Sequence, residues 1–564
     1  MPENAITNES HSHLKLHAIQ PMVNDQQYNG PKSLINGEIH DELPKKRSKL
    51  RMAMVLLALM LSVFIAALDQ SIVATAIPTI TATLDSASGY VWIGGAYLLA
   101  NAASGPIWAK LSDIWGRKPI LLTAVALFFG SSIICAKAVD MKMLIIGRAV
   151  QGTAGGGLGQ LVIITICDIF SQRERGLYLA LIEAVFAVAG SSGPVLGGTF
   201  TEKLSWRWCF WINLPIAGSA FILLFLFLDV HNPKTSAKDG LKAMDWGGSL
   251  SILGIALMLL LGLEFGGATF PWKSPQVICL LVFGAGMSGI FIFIEKRLAR
   301  YPLIPLSLFK ERSNVACLLV GFLQGMVYFA TEYYLPLYFQ SVRGASPLRS
   351  GILILPLISM EALTGIIAGV TIHKTGRYLE LMYLGTIIAT IGVSTFNLLD
   401  VKTTIAQIVG FQILAGFGAG LLFAAPLIAL QACVSQSDTA SATSTFSFTR
   451  NMATSISVVV GGVIFQNSMD VRVESLKLAP VNLPANITDL LSDGKAAANV
   501  HISGILTDPI QKIAVKAAFA DSLKNMWIFY TCLAGLTFVA SLFIKKQVLS
   551  KVHVETKTGL KADS

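Results

Sequence analysis

An all-α polytopic membrane protein, built of two six-helix bundles related by pseudo-symmetry plus two additional central helices, is the fold class this sequence predicts. Three observations carry it. Of the 564 residues, 53% are hydrophobic and only 13% charged, with a mean hydropathy of +0.63, far from the balance of a water-soluble domain. Apolar runs of the roughly 20 residues needed to cross a bilayer recur along nearly the whole chain after Lys49. Short patterns of the first half also return, altered, in the second.

In chain order, the spans fall near 52–77, 92–109, 119–136, 143–166, 177–196 and 209–228, then 246–264 and 277–294 after a polar break. The second set follows near 315–339, 351–372, 379–398, 405–429, 452–465 and 527–544. These make about fourteen crossings, and the short loops between them force neighbours to run antiparallel. The predicted organisation is a disordered cytoplasmic tail over 1–50, a six-helix bundle over 51–228 and two additional helices within 229–313. A second six-helix bundle over 314–546 holds a long outer loop at 466–524, and 547–564 form a cytoplasmic tail.

Lys and Arg orient the chain. An inward N-terminus places KKRSKLR, Arg117 and Lys118, Arg173 and Arg175, Lys374 and Arg377, and Lys545 and Lys546 on the cytoplasmic side, as the positive-inside rule asks. The net charge of +10 then reflects topology, and no nucleic-acid partner is expected. The first fifty residues lack the apolar core of a secretory signal. All seven cysteines stand singly in or beside apolar runs, so neither a metal site nor a disulfide framework is expected. Asn486-Ile487-Thr488, in the outer loop, is a glycosylation triplet. The G-x-x-x-x-G-K-[ST], H-E-x-x-H and G-x-S-x-G patterns are absent, which argues against an ATP-driven pump and against an enzyme. No cofactor is expected, and an ion gradient is left as the energy source.

The loop LSDIWGRKP at 111–119 joins the second and third spans. Gly116 permits a tight turn, and Asp113 stands close enough to pair with Arg117, Lys118 or a neighbouring helix end, forming a gating latch. Alternatively, the two cations only set topology. IHKTGRY at 372–378 repeats the Gly-Arg step in the second half, GRAVQGTAGGGLG is matched by AGFGAGLLFAAP, and Gly197-Gly198 by Gly461-Gly462. Duplicated halves of this kind are how secondary transporters build alternating access.

Ionisable groups at membrane depth usually face a partner or a cavity. Asp69 lies about 25 Å along the first span at 1.5 Å per residue, and Arg148 lies just inside the outer end of the fourth. They can therefore meet in the outer half as a proton-coupling pair, unless Arg148 snorkels outward. Glu183, Glu332 and Glu361 are further acids in apolar runs. With Tyr333 beside Glu332, they are candidates for a substrate cavity, or for acids hydrogen-bonded to a neighbouring helix.

From about 51 to 546 the chain resembles the major facilitator superfamily, and within it the fourteen-span drug:proton antiporters, most closely fungal efflux pumps for toxins and drugs. AKLSDIWGRKP resembles the signature G-x-x-x-D-[RK]-x-G-R-[RK], departing from it at Ala109 and Ile114. LDQSIVATAIP, LIIGRAVQGTAGG, GSSGPVLGG, WRWCFWINLP and YYLPLYFQSVRGASPLRSG are similar to other family segments. The resemblance implies that GSSGPVLGG, with Gly190, Gly193, Pro194, Gly197 and Gly198, is the antiporter motif. It further implies a proton-coupled exporter of amphipathic organic molecules that works as a monomer in the plasma membrane. The alternative is a vacuolar proton-coupled transporter of basic amino acids or drugs.

Overall fold

Polar side chains at the edges of the apolar runs start the helices. Asp140, Asp245, Ser274 and Asp508 each accept a hydrogen bond from a backbone N–H of the first turn, and Ser171–Glu174 and Thr404–Gln407 form capping boxes. The computed structural model describes residues 48–85, 89–266, 270–299, 301–478, 481, 483–492, 495–500, 502–551, 553 and 558–559. The expected N-terminal tail lies almost wholly outside these residues.

Among the described residues there are fourteen long helices: α1 (Lys49–Ala74), α2 (Gly89–Trp115), α3 (Arg117–Ala136), α4 (Met141–Ile169), α5 (Gln172–Lys203), α6 (Asn213–Phe227), α7 (Trp246–Phe265) and α8 (Pro275–Arg297). The rest are α9 (Arg312–Ser341), α10 (Leu355–Thr375), α11 (Leu379–Thr395), α12 (Ile405–Leu422), α13 (Thr439–Leu478) and α14 (Pro509–Ser541). Except for α2, each overlaps one of the 13 helical segments that, among the described residues, are long and apolar enough to cross a membrane.

The packing repeats. In the first half α1 packs on α5 and α6, α4 on α2 and α3, and α3 on α6; in the second, α9 packs on α13 and α14, α12 on α10 and α11, and α11 on α14. The halves meet along two seams, α5 against α10 and α2 against α13. Exchanging the halves turns one seam into the other, which is the pseudo-symmetry the echoes imply. Helices α7 and α8 pack on each other, with α7 against both α2 and α13.

The connection between the last two long helices is shorter than expected. Helix α13 continues to Leu478 and α14 begins at Pro509, so both take residues assigned to the loop at 466–524. Charges such as Asp470 and Arg472 end an apolar run but not a helix. Prolines open the next helices: Pro484 caps the short helix at Ala485–Leu491, and Pro509 opens α14.

Candidate functional site

The first cluster is sealed inside the first half. Asp69 on α1 is fully buried; its Oδ2 pairs with Arg148 of α4, and its Oδ1 accepts from Gln151 Nε2 at 2.9 Å and Asn213 Nδ2 at 2.8 Å. Arg148 also donates through Nε to the Ile93 carbonyl at 3.0 Å and lies 4.4 Å from the centre of the Tyr97 ring. Gln151 further donates to Ser132 of α3, so one polar knot ties α1, α2, α3, α4 and α6 together. The two predicted residues do meet. Asn213, Ser132 and Tyr97 were missed, although Asn213 lies inside the quoted WRWCFWINLP. Gly152 makes the approach possible, because a Cβ there would overlap the Tyr97 backbone.

The second cluster is the loop at 111–119. Arg117, 2% exposed, donates from Nη1 to Asp113 Oδ1 and Ser112 Oγ and from Nε to Asp168 Oδ2, each at 2.6 Å. Of the pairings open to Asp113, the structure makes the one with Arg117. Asp168, at the end of α4, was not anticipated; its signal was an acid in the otherwise apolar ITICDIF. Gly116 has φ +92°, and a Cβ would stand 2.9 Å from Pro233 Cδ, so glycine is required on both counts. Lys118 donates to the Phe225 carbonyl at 2.8 Å. Gly376, in the echo IHKTGRY, is also left-handed, with φ +74°.

Cations that had been read only as topological tie the two halves together at this end. Arg173 of α5 donates to the carbonyls of His373 and Lys374 at the end of α10, satisfying acceptors that a helix terminus leaves open. Arg175 donates to Gln431 and Gln436. Beside them, the seam is tight enough that a Cβ on Gly369 would lie 2.5 Å from the Gly176 carbonyl oxygen.

GSSGPVLGG lies in α5 against α1. Gly193 and Gly197, one turn apart, meet Ser71 and Ile72 with no room for a Cβ, and Ser71 Oγ donates across to the Ala189 carbonyl at 3.0 Å. Gly190 and Gly198 have open space where a Cβ would stand, and Gly190 lines the cavity described next. Pro194 is exposed within the helix.

Between the halves lies a cavity of about 480 Å³ lined from both of them. Glu183 of α5, Glu332 of α9 and Glu361 of α10 all reach it, with Arg450 of α13 and the rings of Tyr328, Phe329, Phe423 and Phe448. Tyr328 and Arg450 act electrostatically on Glu361, and Arg450 also on Glu183. Tyr333 is absent from this wall and is 57% exposed. Successive helical residues point about 100° apart, so Tyr328, one turn before Glu332, shares its face and Tyr333 does not. Asp69 does not line the cavity either; its neighbours Gln70 and Ser71 do. Asn486 is exposed, in a short helix at Ala485–Leu491.

A family model described as Major Facilitator Superfamily matches residues 59–458. Efflux pump dotC of Dothistroma septosporum is 46% identical over 511 residues, 90% of this chain and 87% of that protein. The MFS-type transporter ppz2 of Metarhizium majus is 45% identical, covering 92% and 89%. Efflux pump FUS6 of Gibberella moniliformis is 36% identical, covering 94% of each. Among solved structures, the human organic anion transporter MFSD10 superposes with a TM-score of 0.57 at 15% identity, covering 87% of this chain and 99% of that one. The proton:xylose symporter XylE gives 0.56 at 14%, covering 89% and 98%. At such identities the likeness shows the fold.

Proposed function

The chain belongs to the major facilitator superfamily, and from that premise we propose that it is a proton-coupled efflux transporter exporting amphipathic small organic molecules by alternating access. The carrying observation is the central cavity, lined from both halves by apolar side chains, by aromatic rings mostly of the second half, and by polar and charged groups, a concave site of small-molecule size. Relatives named as efflux pumps over nearly the whole chain support the direction of transport. With the 111–119 loop in the cytosol, Arg173 and Arg175 close the cavity on the cytosolic side. Asp113, Gly116, Arg117 and Lys118 form the gating loop that braces that closure, and Gly193 and Gly197 let α5 slide on α1 as a tight, smooth contact.

Asp69 and Arg148 form the coupling pair. Protonating Asp69 dissolves an ion pair that joins α1 to α4 and leaves a buried guanidinium without its counter-charge, which is costly; rearranging the helices relieves it. The test is cargo accumulation in proteoliposomes with and without an imposed pH gradient, for wild type and Asp69→Asn at matched protein. The variant should bind cargo yet fail to concentrate it. A response to the gradient equal to wild type removes Asp69 from the coupling role. The protein acts as a monomer in the plasma membrane with Asn486 glycosylated on the outer side, and a fluorescent fusion that marks the vacuole instead of the cell rim overturns that placement.

A further inference from the structure

After α14 the chain does not leave the protein. Residues 544–550 form neither helix nor turn, so their N–H and C=O groups must find partners elsewhere. Most of those partners belong to the second half. The Lys545 N–H donates to Ser313 Oγ at the start of α9, at 3.1 Å, and the Gln547 N–H donates to Tyr378 Oη at 2.8 Å. Tyr378, 1% exposed, ends the echo IHKTGRY and donates in turn to the Lys545 carbonyl. Lys546 pairs with Glu380 of α11, an exposed contact that adds little. Leu549 is buried, in a core that holds Phe170 and Leu179 of the first half together with Tyr378 and Leu379 of the second.

One residue later the chain bonds to the first half. The Ser550 N–H donates to Gln172 Oε1 at 3.2 Å, and the Ser550 carbonyl accepts from the Arg173 N–H at 3.3 Å. Gln172 and Arg173 open α5, where the first N–H groups have no partner inside the helix. Arg173 is therefore gripped twice across the α5–α10 seam: its main chain by this segment, and its side chain by the last carbonyls of α10. Both grips must break for the seam to part at this end. The two Ser550 bonds lie at the long end of the usual range and face several anchors on the other side, so the segment lets go at Ser550 and stays with the second half. Further along, the Gly559 N–H donates to the Asp113 carbonyl at 2.8 Å, which brings the same tail onto the 111–119 loop.

We propose that residues 544–550 are a strap that holds the two halves together on the face of the 111–119 loop and must release Ser550 from α5 before the cavity opens there. The strap makes the C-terminal tail a brake on access from that face. It rests on the export reading only in taking such opening as a step of the transport cycle.

The experiment reads how often the cavity opens, whatever passes through it. Ile163 lines the cavity. In a full-length chain whose own cysteines have been replaced, Ile163→Cys is labelled by a membrane-impermeant maleimide, with inside-out and right-side-out vesicles presenting each face in turn. Ending the chain after Leu549 keeps the second-half anchors and removes the bridge, and should speed labelling from the face of the 111–119 loop at least about fivefold. Ser550→Pro in the full-length chain removes one N–H and should speed it about twofold to tenfold; it decides alone if the shortened chain does not reach the membrane. Labelling at the wild-type rate overturns the proposal. So does an equal gain from the opposite face, which would mean that the helices had loosened generally. Failure of the export reading shows instead as a lack of cargo accumulation in proteoliposomes, and it leaves the labelling comparison standing.

Discussion

The two halves share a packing plan and differ in where they keep their charge. In the first half, Asp69 and Arg148 are locked together away from the cavity, every Asp69 oxygen engaged. Gln412 stands as far along α12 as Arg148 does along α4; it is likewise fully buried, but neutral, and donates to the Leu353 carbonyl at 2.9 Å. Glu332 stands as far along α9 as Asp69 does along α1, yet it turns to the cavity. The small residues at the helix crossings persist in both halves: Gly152 meets Tyr97 where α4 crosses α2, and Gly416 meets Leu357 where α12 crosses α10. Backbone contact thus survives the divergence while the polar chemistry is reassigned, the first half holding a sealed ion pair and the second contributing most of the cavity's acids.

Removing one charge tests that contrast most severely. Arg148→Ala leaves the Asp69 carboxylate buried without a counter-charge and should cost about 3–5 kcal/mol, whereas Gln412→Ala removes a neutral donor and should cost about 1–3 kcal/mol. Thermal unfolding of the purified proteins compares them, and equal losses would mean that the halves are chemically alike here. The turn glycines come next. At Gly116 a side chain meets both an adverse φ and Pro233, so Gly116→Ala should cost about 2–3 kcal/mol. At Gly376 the nearest atom to a Cβ is Arg173 Cζ at 3.7 Å, so alanine pays only the left-handed backbone, about 1 kcal/mol. The same melting assay ranks them, and the reverse order would show that Pro233 yields.

Smaller effects fall on the closure between halves. Arg173→Gln weakens the tie to the end of α10 and should shift the access equilibrium by about 1–3 kcal/mol, read as faster labelling of Ile163→Cys from the cytosolic side in a chain whose own cysteines have been replaced. Unchanged labelling would place the closure elsewhere along the seam. Smallest for stability is Asp113→Asn: Asp113 is 25% exposed and Arg117 keeps Asp168, so the folded amount should change by under about 1 kcal/mol while turnover falls. Transport at the wild-type rate by this variant would remove Asp113 from the gate.

Fourteen helices, their order, the duplicated halves and the meeting of Asp69 with Arg148 were all legible in the residues alone. Hydropathy reports the cost of exposing backbone and side chain to lipid, and that cost is paid within each segment separately. The Gly-Arg echo at 116–117 and 376–377 likewise marked two left-handed turns, because a glycine at a tight turn is a local requirement.

What only the tertiary structure decided is which face each polar group turns, and to whom. A soluble helix reveals its inner face by an apolar stripe; a helix in lipid is apolar on both sides, so nothing local says that the Glu332 face, and Tyr328 with it, joins the cavity, or that Asp69 turns from it. Partners distant in sequence were equally hidden: Asp168 joining Arg117, Asn213 joining Asp69, and Arg173 reaching the carbonyls of α10. Each bond spans dozens to hundreds of residues, and its geometry exists only once the intervening helices have packed.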